Sequence, residues 1–137
     1  MKYGNDIEKS IINKIYNNKE SIESLKHDSG NYKLYVSTRM TFWIKAFLLE
    51  QESKEYKKMY FANEKNKYLY YLIINSDIFY FYWEVISDCW HITKKEFANF
   101  KINTNKIEYL DSNKIIDLAK KIEKALKQIK NILVLSK

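Results

Sequence analysis

The sequence predicts an α+β domain: a small mixed or antiparallel sheet packed by helices, with long amphipathic helices at both termini. Three observations lead there. Apolar residues recur at helical spacing near both ends of the chain, and the period drops to two between residues 32 and 61, where aromatic and β-branched residues gather. Of the 137 residues, 46% are hydrophobic and 16% aromatic, which suits one folded core and not a disordered chain. A single domain, 1–137, is expected, with an N-terminal helix over 6–26, a central core over 32–102 and a C-terminal helix over 112–135.

The N-terminal helix is inferred from Ile7, Ile11, Ile15, Ile22 and Leu25, which share one face with charged and amide residues between them. His27 to Asn31 form a turn cluster, with Gly30 suited to a left-handed conformation. Strands are expected over Tyr32–Thr38 and Phe42–Leu48, joined through Arg39–Thr41, and over Tyr56–Phe61. Asn63 or Asn66 can cap a helix running to about Asn75, and Ser76, followed by Asp77, can cap a second to about Ser87. Cys89 to Ile92 is expected to be extended. Thr93 is then placed as an N-cap, with Glu96 at the capping-box position, for a short helix ending near Phe100. From Ser112 the spacing of Ile115, Ile122 and Ile129, and of Leu126 and Leu133, gives an apolar seam suited to packing on a neighbour and too short for an independent coiled coil.

Composition narrows the chemistry. The formal net charge of +7 and the pI near 9.3 favour polyanionic partners. Part of that basicity reflects residue usage: Arg39 is the sole arginine among 24 basic residues, and the chain is crowded with Lys, Asn, Ile and Tyr, as an AT-rich genome produces. The single cysteine, Cys89, forms no internal disulfide and, with two histidines, builds none of the common structural zinc sites. The polar N-terminus lacks the apolar core of a signal peptide, and Asn75-Ser76-Asp77 interrupts the longest apolar run. A soluble, cytoplasmic protein with no membrane partner is expected.

The chain has two glycines and no proline. A glycine-rich turn for S-adenosylmethionine, an Asn/Asp-Pro-Pro-aromatic loop and a phosphate-cradling Gly-x-x-x-x-Gly-Lys are all beyond such a sequence. Glu52-Ser-Lys54, with Asp28 upstream, offers half of a metal-dependent nuclease site, but such triplets arise constantly where Lys and Glu are abundant. His27 and His91 have no evident Ser, Cys or acid partner in a motif. No catalytic residue, no metal and no cofactor is expected, and the chain is not read as an enzyme on its own.

One order of elements stands out. Val36-Ser-Thr-Arg39 is followed by Phe42-Trp-Ile-Lys45, Lys58-Met-Tyr-Phe61, Ile74-Asn-Ser-Asp-Ile-Phe-Tyr-Phe-Tyr-Trp83, Ser87-Asp-Cys-Trp-His-Ile92 and Lys94-Lys-Glu-Phe97, then Phe100-Lys101. Over about half the chain this resembles the TaqI-like C-terminal target-recognition domain of adenine-N6 DNA methyltransferases and type IIG restriction enzymes. The chain departs from that pattern in lacking the proline after Phe100 and the whole methyltransferase domain. The resemblance implies a specificity module, or a detached fragment of one, that recognises double-stranded DNA in restriction-modification and works with a methyltransferase or endonuclease domain or subunit.

Within that reading the DNA-binding candidates are Arg39, Lys45, Lys58, Ser87, Trp90, His91, Lys94 and Lys95. Arg39 can offer a rigid bidentate fork to guanine, or form an ordinary salt bridge. Ser87 and His91 can donate to phosphate, with Lys94 and Lys95 beside the start of the short helix; Trp90 can equally plug the core. Lys45, Lys57 and Lys58 suit phosphate contacts, which position a protein without reading sequence. The Phe79–Trp83 stripe, at i, i+3, i+4 spacing, is read as core in preference to a base-stacking surface. The alternative function is a protein–protein interaction module whose terminal helices bind a partner, its charge reflecting composition.

Overall fold

A computed structural model describes residues 5–38, 46–51, 54–86, 94–107 and 109–135, with backbone alone at 104–105 and 129–135. The described residues form the expected α+β arrangement. A four-stranded antiparallel sheet has the order β2 (Lys26–His27), β5 (Tyr56–Phe61), β3 (Tyr32–Ser37), β4 (Ala46–Phe47), and β1 (Glu20–Ser21) pairs separately with β6 (Lys101–Ile102).

The N-terminal expectation needs correction. Helix α1 spans Asp6–Asn17, capped by Asn5, whose side chain accepts from the Glu8 amide at 2.9 Å. It does not run on to residue 26. Asn18 turns extended and donates its amide to the Lys101 carbonyl at 3.2 Å, tying the chain to β6. Ile22 and Leu25 kept the helical spacing because a 3-10 turn, Ile22–Leu25, also puts residues three apart on one side, and both are buried.

Gly30 has φ near 150°, and a Cβ there would sit 3.1 Å from the Phe61 carbonyl oxygen, so the turn into β3 calls for glycine. The β3–β5 register pairs Tyr32 with Phe61, Leu34 with Met59 and Val36 with Lys57. That alternation sends Leu34, Val36, Met59 and Phe61 to one buried face. Of the expected 42–48 strand, residues 46–48 lie among the described ones; Ala46–Phe47 form a strand, paired to Val36 and Tyr35, and Leu48 has already left it.

Helix α2 (Glu64–Ile74) lies at the centre. It touches β3, β4 and β5 on one side and α6 (Ser112–Leu135) on another, so Tyr68 to Tyr71 and Ile74 are all buried. Asn63 caps it, accepting from the Asn66 amide at 2.8 Å. Ser76 caps α3 (Asp77–Ile86), accepting from the Phe79 amide at 3.2 Å. The seam of α6 packs inside the chain: Ile115, Ala119 and Leu126 are buried. The helix α4 (Lys94–Asn99) follows, then the single turn α5 (Thr104–Ile107).

The aromatic stripe of α3 is core. Phe79, Tyr82 and Trp83 are buried, and Phe79 packs on Phe97 with ring centroids 5.9 Å apart and on Phe100 at 5.2 Å. Tyr82 meets Phe100 edge-on at 5.0 Å and donates its hydroxyl to the Glu96 carbonyl at 2.6 Å, so its polar end is satisfied. No helix among the described residues is long and apolar enough to cross a membrane.

Candidate nucleic-acid interface

Three sequence-distant segments converge beside β5, where the short β2 stops. They enclose a groove of about 120 Å³ floored by Val36, Met59 and Phe97. Among the described residues, Lys26, Lys57, Lys58 and Lys94 stand around it, with Ser37 and Thr38 at one end and Glu23 as the one acidic residue. Of these, Lys26, Lys57 and Lys94 set positive charge against the carboxylate of Glu23, while Lys58, which also lines the groove, leaves β5 on the face opposite Lys57. Lysine ammoniums are compact, mobile point charges suited to phosphate oxygens, and concentrating them in a concave site raises the local potential.

Each wall has a local cause. Lys57 and Lys58 are adjacent on β5 and therefore leave it on opposite faces: Lys57 pairs with Val36 and Lys58 with Tyr35. Both are exposed, so the groove's rim can reach solvent on either side of the strand. Lys94 and Phe97 are three apart on α4 and share one side of it, so burying Phe97 sets Lys94 over the groove. Ser21 Oγ donates to the Phe97 carbonyl at 3.3 Å, and the Tyr82 hydroxyl holds the Glu96 carbonyl, so α4 is anchored from two directions.

Glu23 holds Lys26 in place. Its Oε2 lies 3.0 Å from Lys26 Nζ, both side chains about a quarter exposed, and its Oε1 accepts from the Tyr70 hydroxyl at 3.4 Å. Burial pushes the Tyr70 phenol well above its ordinary pKa, and the charge of Glu23 and the hydrogen bond to it push the same way. Tyr70 thus stays a neutral donor and Glu23 an anchored counter-ion. The other three lysines have no such tether to Glu23.

Of the residues singled out from sequence, Lys58 and Lys94 are brought together here. Lys95 is exposed on α4 but does not line the groove. Arg39, Lys45, Ser87, Trp90 and His91 lie outside the described residues, as does Glu52 of the Glu-x-Lys triplet. Lys26 and Glu23 were missed because the extended N-terminal helix placed them on a helix side; only the convergence of the 3-10 turn with β5 reveals them. Among the described residues no cluster of three or more His, Cys, Asp or Glu side chains could hold a metal ion.

Comparisons with protein-family models, with curated proteins and with solved structures find no match to this chain.

Proposed function

We propose that the chain recognises double-stranded DNA in a sequence-specific manner, as the specificity module, or a detached fragment of one, of a restriction-modification methyltransferase or endonuclease. The observation that carries this reading is the groove lined by Lys26, Lys57, Lys58 and Lys94. A phosphodiester backbone is the polyanion such a lysine set fits, and contacts of this kind fix register while other side chains read base edges. The order of elements from Val36 to Phe100 supports the family assignment, with Arg39 and the Ser87–Lys95 segment as the base-reading candidates. In this role the chain is non-catalytic by itself, acts in the cytoplasm, and requires a methyltransferase or endonuclease partner.

Selection from a randomised duplex pool tests the reading. Enrichment of one short sequence among retained duplexes is the expected outcome. Retention without enrichment, or none at low salt, contradicts it.

A second reading, a protein-interaction module, draws on α1. Ile7 and Ile11, one turn apart, are 73% and 37% exposed, an apolar strip that a partner could cover. Under the first reading the same strip is where the catalytic partner docks.

A further inference from the structure

The sheet has a second face, turned away from α2. Strand register assigns to it Tyr35 opposite both Phe47 and Lys58, Lys33 opposite Tyr60, and, at its buried end, Ser37 opposite Tyr56. The rings of Tyr35, Phe47, Tyr56 and Tyr60 alternate along their strands with the buried Leu34, Val36, Ala46, Met59 and Phe61. None of the four belongs to the core cluster or packs against it, and each is partly open to solvent. Phe47 and Tyr56 meet edge-on, with centroids 5.6 Å apart. The solvated face of an antiparallel sheet ordinarily carries polar side chains. Here rings alternate with lysines, and the register-paired positions of this face include no carboxylate.

We infer that this face binds single-stranded nucleic acid, its rings stacking on unpaired bases while Lys33 and Lys58 meet the phosphates. Every base has a π-face, so a row of rings takes a strand with little regard to sequence, and flanking ammoniums supply the charge complement. Duplex DNA cannot use such a surface, because its bases are already stacked. The inference shares Lys58 with the duplex reading but rests on the rings, which line no part of that groove, so either can fail alone. Cross-strand ring contacts also stabilise a sheet, so the test has to separate binding from folding.

The experiment measures anisotropy of labelled oligodeoxythymidine of about 12 nucleotides, a length such faces cover, and of a duplex, each titrated with the full chain. The Tyr35→Ala/Tyr56→Ala pair is expected to weaken oligodeoxythymidine binding by about tenfold or more. It should leave duplex affinity within about twofold of wild type, because the rings do not serve phosphate contacts. The Tyr35→Phe/Tyr56→Phe pair keeps both rings and should bind as wild type. On the wild-type chain, photocrosslinking to bromodeoxyuridine-substituted strands should label peptides covering 32–37 or 56–61, which keeps the inference testable if the alanine pair unfolds. The inference is overturned if wild type does not bind the single strand, if the alanine pair binds it unchanged, if that pair loses duplex and single strand equally, or if crosslinks fall only elsewhere.

Discussion

The hydroxyl of Tyr71 on α2 donates to Oε2 of Glu123 on α6 at 2.7 Å, inside the core. The other oxygen of that carboxylate accepts from the Leu48 amide at 3.3 Å, just beyond β4. One buried acid thus links the central helix, the C-terminal helix and the sheet's edge. A charge enclosed this way is stable only with its donors in place. Replacing Tyr71 with Phe removes one donor and should lower stability by about 1–3 kcal/mol, measured by urea unfolding. An unchanged midpoint would show that the contact contributes nothing.

The same pair sets an alkaline limit. Burial raises the Tyr71 phenol above its ordinary 10.0, and the hydrogen bond to Glu123 and its charge raise it further. A group whose folded pKa is raised contributes stability fully present below its unfolded value and lost as pH climbs towards the folded one. Stability should therefore hold up to about pH 10 and fall above it. In Tyr71→Phe the fall should be shallower, as seen by circular dichroism across a pH series; identical alkaline limbs would contradict the linkage.

Asn75 closes α2 and, at the same time, pairs with the edge of the sheet. Its Oδ1 accepts from the Ala46 amide at 2.9 Å, and its Nδ2 donates to the Ala46 carbonyl at 3.1 Å. The side chain thereby imitates a neighbouring strand at a position where β4 would otherwise present bare backbone. Asn75→Ala should cost about 1–3 kcal/mol, and Asn75→Asp, which keeps the acceptor and loses the donor, should also destabilise. Hydrogen exchange at Ala46 is the direct check: its amide should lose protection in both variants, more in the alanine one.

At Gly30, alanine would meet the Phe61 carbonyl at 3.1 Å from a backbone conformation that side chains rarely adopt. Gly30→Ala should destabilise by about 1–3 kcal/mol, read from the thermal midpoint; an equal or higher midpoint would refute the strain.

Capping chemistry made much of the fold legible. Asn63 and Ser76 mark the starts of α2 and α3 because their side-chain oxygens take amides the helices leave unpaired, and Tyr56–Phe61 shows its strand through its aromatic content. The N-terminal helix was overextended because Ile22 and Leu25 satisfy two periodicities at once, and only tertiary pairing of Glu20 and Ser21 with Ile102 and Lys101 distinguishes them. The groove was half legible. Lys58 and Lys94 were singled out by their place in an ordered run of elements. Lys26 carries no local signal, since its role arises from Glu23, Tyr70 and β5 meeting across the sheet. The aromatic outer face was hidden for a similar reason: a ring's side of the sheet follows from strand register, which three short segments do not specify alone.

The most direct measurement of the central claim is the salt dependence of duplex DNA binding, comparing wild type with Lys57→Gln/Lys94→Gln. Each phosphate neutralised releases counter-ions and adds about 0.9 to the slope of log affinity against log salt. Removing two groove lysines should flatten that slope by about 1–2 and weaken binding at every salt concentration, with the thermal midpoint unchanged because both side chains are exposed. An identical slope and affinity in the variant would contradict the groove as the DNA-binding face.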